Sequence, residues 1–170
     1  MTKRKTGEQA YMNKEELLAL YEEAAKQEET LCYSSFSKQD ALTLGIRLAK
    51  MARERRADLA IEICVNHVVW FSTLVGNANA DNQRWIARKR RIVDLKEMSS
   101  YRYGLYMQLR DQKMEDQGLD PNVYTTSGGG FPIRLTETGV IGSVCVSGLP
   151  SKEDHAIICE ALRSILQAEE

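Results

Sequence analysis

The sequence lacks an excess of charge of either sign: 23 lysines and arginines face 24 aspartates and glutamates, for a net charge of -1. A chain with this balance is not drawn as a whole to nucleic acid or to an anionic membrane surface. Aromatic residues make up only 7% of the chain, and they form no series that would stack on bases. We therefore expect no nucleic-acid partner and no membrane partner, so that any charged ligand must be met by a local cluster.

Histidine and cysteine are scarce and poorly spaced for metal binding. The two histidines, His67 and His155, form no H-x-x-H or H-E-x-x-H motif. The four cysteines lie far apart among apolar neighbours, without a C-x-x-C pair: Cys32, Cys64, Cys145 and Cys159. This pattern is typical of buried free thiols in a reducing compartment and argues against a structural zinc site. A G-x-S-x-G nucleophile elbow is also missing.

The amino-terminal segment has neither the apolar core of a secretory signal nor the length of a membrane anchor. We expect residues 1–12 to be flexible, because they are polar and lack periodicity. The remaining chain, 13–170, is long enough for one hydrophobic core and is predicted to form a single domain. A cytoplasmic location is expected.

Periodicity and capping residues predict an α+β fold with an antiparallel sheet. Two helices come first, one capped by Asn13 and the next by Ser37 with Asp40 at its third position. A β-hairpin turning at Asn66-His67 follows, and then two helices, one capped by Asp81 or Asn82 and one by Ser99 or Ser100. A second hairpin and a helix from Ser151 complete the chain.

The most charged local feature is "DNQRWIARKRRIVD", residues 81–94. A helix here places Arg84, Arg88 and Arg91 on one face, with Trp85 and the apolar residues on another. Such a face is either a solvated charged surface or a site for a carboxylate or phosphate, which arginine binds in a bidentate manner. The sequence leaves both interpretations open.

Three consecutive glycines in "TTSGGGFPIRL" directly precede a predicted strand. Gly128, Gly129 and Gly130 permit positive φ and expose backbone N–H groups, which suits a tight reversal or an anion-binding nest. The segment is not a phosphate loop of the usual kind, because no Lys-Ser or Lys-Thr pair follows and a strand comes next.

The motifs "DNQRWIARKRR", "SSYRYG", "SGGGFPIR", "GVIGSVCVSGLP" and "EDHAIICEAL", in this order, resemble the UPF0303 group of the haem-degrading-domain superfamily. The resemblance spans about residues 15–168. It implies a profilin-like or PAS-like sandwich with about five central strands flanked by helices, a homo-oligomer such as an octamer or decamer, and haem as a candidate ligand. The positions of this chain that match the motif residues of the family are Asp81, Asn82, Trp85, Arg88, Lys89, Ser99, Ser100, Gly128, Gly129, Arg134 and His155.

This chain departs from the family pattern at two positions. Met98 and Ser127 stand where members often carry histidine. A haem iron needs an axial His, Cys, Met or Tyr, so Met98, Tyr101 or His155 would have to serve here. If His155 is not a ligand, we expect it to be a partly exposed histidine that pairs with a neighbouring acid.

Three functions therefore compete. The first is a binding module that holds a small anionic molecule or tetrapyrrole where the basic helix, the Ser-Ser segment and the glycine turn meet. The expected ligand-binding residues are Asp81, Asn82, Trp85, Arg88, Lys89, Ser99, Ser100, Ser127, Gly128, Gly129, Gly130 and Arg134. The second is an assembly or chaperone-partner protein, whose basic helix faces acids of a neighbouring subunit. The third is a haem-degrading enzyme, for which no catalytic residue is assigned.

Overall fold

A computed structural model describes residues 12–168 of the protein. The flexibility expected for residues 1–12 therefore falls, apart from Met12, outside the described residues. The helices are α1 (Lys14–Thr30), α2 (Lys38–Glu54), α3 (Ala80–Lys96), α4 (Ser100–Leu109) and α5 (Ser151–Leu166), and a short 3-10 helix covers Met114–Gln117. The strands are β1 (Leu59–Val65), β2 (Val68–Val75), β3 (Gly130–Leu135) and β4 (Gly139–Ser147).

The strands form one antiparallel sheet in the order β2-β1-β4-β3. The prediction of about five strands is wrong for residues 12–168, where the sheet has four. The segment nearest to a fifth strand is Tyr33, whose N–H donates to the Arg134 carbonyl at 2.9 Å and whose carbonyl accepts from Thr136 at 2.9 Å. It stays a single bridge to Leu135, because the chain turns away to begin α2 at the Ser37 cap.

Helices cover both faces of the sheet, and alternation along the strands decides which residues meet which helix. Ile61, Ile63, Val144 and Val146 point to one face and pack against α2 and α5. On the other face Ala60 and Cys145 pack against Ile86 of α3. Because both faces are covered, β1 and β4 are buried over most of their length. No helix within the described residues is both long and apolar enough to cross a membrane.

Local capping explains where most helices begin. Asn13, Ser37 and Ser99 cap α1, α2 and α4 as predicted. The prediction that Asp81 or Asn82 caps α3 is wrong, since the cap is Asn79, which accepts from the Asp81 N–H at 2.9 Å. Asn82 completes the capping box by accepting from the Asn79 N–H at 2.9 Å.

The predicted turn of the first hairpin is confirmed. The first hairpin turns at Asn66-His67, and both residues adopt positive φ, as a two-residue type I′ turn requires. His67 is exposed there and lies 3.7 Å from Asp94. Its place in the turn accounts for its position without a ligand.

Candidate functional site

The glycine turn, the first turns of α3 and the start of α5 meet around a cavity of about 280 Å³. α3 contributes Asp81, Asn82, Trp85 and Lys89, and the turn contributes Ser127 and Gly128. The remaining walls come from the segment that joins β4 to α5 and from α5 itself: Ser147, Gly148, Leu149, Ser151 and Asp154. The structure therefore brings six of the predicted ligand-binding residues to one cavity.

A buried ion pair lies at the base of this cavity. The Lys89 Nζ donates to Asp154 Oδ2 at 2.8 Å and to the Val146 carbonyl at 2.8 Å. Both side chains are almost fully buried, with exposed fractions of 3% and 2%. Burial raises the pKa of the Asp154 carboxyl, while the Lys89 ammonium acts in the opposite direction. The remaining oxygen, Asp154 Oδ1, accepts from the Leu149 N–H at 3.0 Å.

Gly129 and Gly128 are needed because the chain passes too close to the ion pair and to the start of α5 to carry side chains. A Cβ on Gly129 would lie 2.7 Å from the Lys89 Nζ and 2.6 Å from the Val146 carbonyl oxygen, and its φ of +113° already disfavours other residues. A Cβ on Gly128 would collide with the Ser151 carbonyl. The Gly128 N–H donates to the Ser151 Oγ at 2.7 Å, which ties the turn to α5.

The start of α5 faces the cavity without a side-chain cap. Pro150 occupies the N-cap position and makes no side-chain hydrogen bond to the first turn. The first N–H groups of a helix lack intrahelical partners and carry partial positive charge. The Glu153 and Asp154 N–H groups donate to the Pro150 carbonyl at 2.8 and 2.9 Å. Since Ser151 and Asp154 line the cavity, the positive end of this helix lies beside the Lys89 ammonium.

Several predicted residues lie away from the cavity. Arg88 donates to the carbonyls of Pro121 and Tyr124, at 2.6 and 3.1 Å, and its guanidinium stacks 4.1 Å above Trp85. It therefore holds the long loop after α4 against α3. Arg134 donates to the Glu97 carbonyl at 3.1 Å.

The Ser-Ser segment is buried and has a structural environment. Ser99 accepts from Arg102 N–H at 3.1 Å to cap α4, and its own N–H donates to Glu28 at 2.8 Å. Ser100 Oγ accepts from the Gly130 N–H at 2.9 Å. The expected convergence of this segment with the basic helix occurs through Gly130, which packs against the Lys89 backbone, and not through a shared cavity.

His155 lies in a second, smaller environment between α1, α4 and β3. It is only 4% exposed, and its Nε2 lies 2.7 Å from Gln27 Oε1. Its ring stacks on Tyr101 at 4.6 Å and contacts Phe131. The prediction of a partly exposed histidine paired with a neighbouring acid is wrong, because the partner is an amide of α1.

Burial dominates the chemistry of this histidine. Nδ1 is buried without a hydrogen-bond partner among the described residues, so a proton there would have no acceptor. Burial lowers the pKa of His155 to about 4 and raises the pKa of the adjacent Cys159 thiol to about 12. Both groups are therefore neutral at physiological pH. Met98 packs elsewhere, against the cluster of Ile92, Tyr103 and Met107.

Sequence reasoning missed the β4–α5 half of the cavity. Ser147, Gly148, Leu149 and Ser151 belong to the "SGLP" motif and its continuation, and Asp154 belongs to "EDH". Those motifs were noticed only through the resemblance. A buried lysine on α3 requires a carboxylate partner, so recognising that Lys89 is buried would have directed the search to an acid such as Asp154.

Comparison with known proteins defines the class. A family model described as haem degrading protein HbpS-like matches residues 36–163. A UPF0303 protein of Streptomyces coelicolor is 40% identical over 146 residues, covering 85% of this chain and 92% of that protein. One of Rhizobium rhizogenes is 41% identical over 138 residues, covering 81% and 85%. The chain therefore belongs to the HbpS-like family, as a UPF0303 protein.

Solved structures share the fold. The crystal structure of the Ybr137w protein superposes with a TM-score of 0.82 at 25% identity, covering 93% of this chain and 97% of that one. The PduOC:heme complex gives 0.64 at 16% identity, covering 76% and 94%. HbpS gives 0.61 at 12% identity, covering 79% and 92%. The last two likenesses establish the fold alone.

The buried pair generates a stability prediction. Lys89→Met leaves the Asp154 carboxylate buried without its counter-ion, and we expect the free energy of unfolding to fall by about 3–5 kcal/mol. Lys89→Met/Asp154→Asn removes the uncompensated charge and keeps an acceptor for the Leu149 N–H, so it should recover part of that loss. Urea denaturation measures both variants. Asp154→Asn alone completes the cycle, and a loss in the double variant equal to the sum of the two single losses would contradict an energetic coupling between the two side chains.

His155 generates a pH prediction. Its folded pKa lies below the unfolded value, so the unfolded chain takes up a proton that the folded chain excludes as the pH falls. Stability should therefore drop by about 2 kcal/mol between about pH 7.5 and pH 5, from this group alone. The difference in unfolding free energy between wild type and His155→Gln, measured at both pH values, isolates it. A pH-independent difference would show that His155 titrates normally.

Proposed function

We propose that this protein is a non-catalytic binding module, which holds a small anionic molecule in the cavity between α3, the glycine turn and α5. The observation that carries the proposal is the meeting of the uncapped start of α5 with Ser127 and Gly128 above the buried Lys89–Asp154 pair. Exposed backbone N–H groups at a helix start favour an anion when other donors accompany them.

The charges around the cavity are compatible with this ligand. An ammonium has three N–H donors, and two from Lys89 are used by Asp154 and Val146. The third has no partner among the described residues, and Lys89 lines the cavity. Asp81 at the rim pairs with Arg84 at 2.9 Å, which offsets its repulsion. The volume of about 280 Å³ lies at the small end of ligand sites and favours a compact anion.

The residues present do not fit a haem. The family is described as haem degrading and the PduOC neighbour was solved with heme, so a tetrapyrrole has to be tested beside a small anion. However, the lining of this cavity contains no His, Cys, Met or Tyr to coordinate iron. His155 and Tyr101 stack on each other beside a cavity of only about 110 Å³, and Met98 packs into an apolar cluster. We therefore assign no haem-degrading step to this chain.

The assembly hypothesis loses its original basis. That hypothesis requires the basic helix to face acids of a neighbouring subunit. Three of its cations instead form ion pairs within the chain: Arg90 with Glu62 at 2.6 Å, Lys89 with Asp154, and Arg84 with Asp81. Homo-oligomer formation, as an octamer or decamer, remains a prediction that light scattering of the purified protein measures. A cytoplasmic location likewise remains a prediction.

Tryptophan fluorescence tests the binding proposal. Trp85 lines the cavity, and in a Trp70→Phe background it is the sole tryptophan of the chain. Titration with inorganic phosphate, and separately with acetate, should change Trp85 emission in a saturable manner. Ser127→Asp places a carboxylate at the cavity and should weaken binding about tenfold or more through like-charge repulsion.

Matched controls separate charge from shape. The asparagine of Ser127→Asn has nearly the same volume as the aspartate of Ser127→Asp but carries no charge. This variant should therefore bind the anion as the parent does. Haemin, followed by its Soret band, should give no saturable shift. Anion binding unaffected by Ser127→Asp would overturn the assignment of this cavity, and a saturable Soret shift lost in His155→Ala would favour the haem interpretation instead.

A further inference from the structure

A larger cavity, of about 610 Å³, lies between the end of α2 and the end of β2, away from the site described above. Two arginines, Arg53 and Arg56, stand on its rim, and its other walls include Ala49, Leu74 and Val75. The volume falls within the range typical of small-molecule sites. The mixture of apolar walls and a few polar groups is also typical of such sites.

Both rim arginines keep their guanidinium groups unpaired within the described residues. Two other arginines of the described residues, by contrast, form ion pairs: Arg55 pairs with Glu160, and Arg102 pairs with Glu28 at 2.9 Å. The one carboxylate in the lining, Asp58, already accepts from the Asn77 N–H at 2.8 Å. The cavity therefore presents two cations whose hydrogen-bond donors face no protein acceptor.

The backbone of Arg56 is strained in a way that fixes this arrangement. The end of α2 is a Schellman motif, in which the Ala57 N–H donates to the Ala52 carbonyl at 2.8 Å and the Arg56 N–H donates to the Arg53 carbonyl at 3.0 Å. In this motif the residue directly before Ala57 must have a left-handed backbone, and glycine is the usual residue there. Arg56 occupies this position with a φ of +53°. Glu97 adopts the same conformation at the end of α3, so the strain does not by itself indicate a ligand, but it places the Arg56 side chain at the rim of the cavity.

We propose that this cavity binds a small carboxylic acid with an apolar body. The carboxylate would accept from the guanidinium groups of Arg53 and Arg56, a pairing whose geometry is bidentate and charge-assisted. The apolar body would lie on Ala49, Leu74 and Val75. Leu74 is 43% exposed, so covering it with such a ligand removes apolar surface from water. The site shares no residue with the first cavity and does not depend on the function proposed for it.

The test uses 4-phenylbutyrate as the probe and 4-phenylbutylamine as its cationic counterpart, in ligand-observed NMR titrations. The acid should bind saturably and the amine should not. Arg53→Gln and Arg56→Gln should each weaken binding of the acid about tenfold, as expected for loss of a charge-assisted hydrogen bond. Arg163→Gln, which removes an exposed arginine of α5, is the matched control and should leave affinity unchanged.

Arg56→Gly separates binding from stability. Glycine relieves the left-handed strain, so the midpoint of thermal unfolding should rise while affinity for 4-phenylbutyrate falls. The proposal is overturned if wild type does not bind the acid, if the amine binds equally well, or if Arg56→Gly keeps full affinity. Ser127→Asp should bind the acid normally, and loss of binding in that variant would place the acid in the first cavity instead.

Discussion

The ion pair between Lys89 and Asp154 is the contact on which the candidate site depends. It joins the middle of α3 to the first turn of α5, and its bond to the Val146 carbonyl ties both helices to β4. A buried charge pair is stabilised when its remaining donors and acceptors find partners. The Val146 carbonyl and the Leu149 N–H supply two of them, which ties the end of β4 and the segment before α5 to the pair.

This constraint also explains what the sequence predicted and what it did not. Helix starts depend on a few consecutive residues, so Asn13, Ser37 and Ser99 were identified correctly. The cap of α3 was assigned wrongly because "NANADN" offers several equivalent capping residues. Only the reciprocal bonds between Asn79 and Asn82 distinguish the correct one.

Long-range contacts were beyond the reach of pattern analysis. The glycine triplet predicted either a tight reversal or an anion-binding nest, and nothing local to it indicates that the chain approaches the ammonium of Lys89 there. The basic helix was treated as one charged face, whereas its cations bond in different directions: Arg88 to the loop after α4, Arg90 to β1 and Lys89 to α5. Those directions depend on how α3 crosses the sheet.

The two edges of the sheet differ in a way that limits how it can grow. The outer edge of β3 is bonded at one end to Ser100, through the Gly130 N–H, and at the other to Tyr33, through the Arg134 carbonyl. The edge of β2 has no neighbouring strand within the described residues, and Val68 and Val69 are exposed along it. Pairing of β2 with β2 of a second copy would use the open edge of both sheets. Growth through this edge alone would therefore end with two copies and not continue into a fibre.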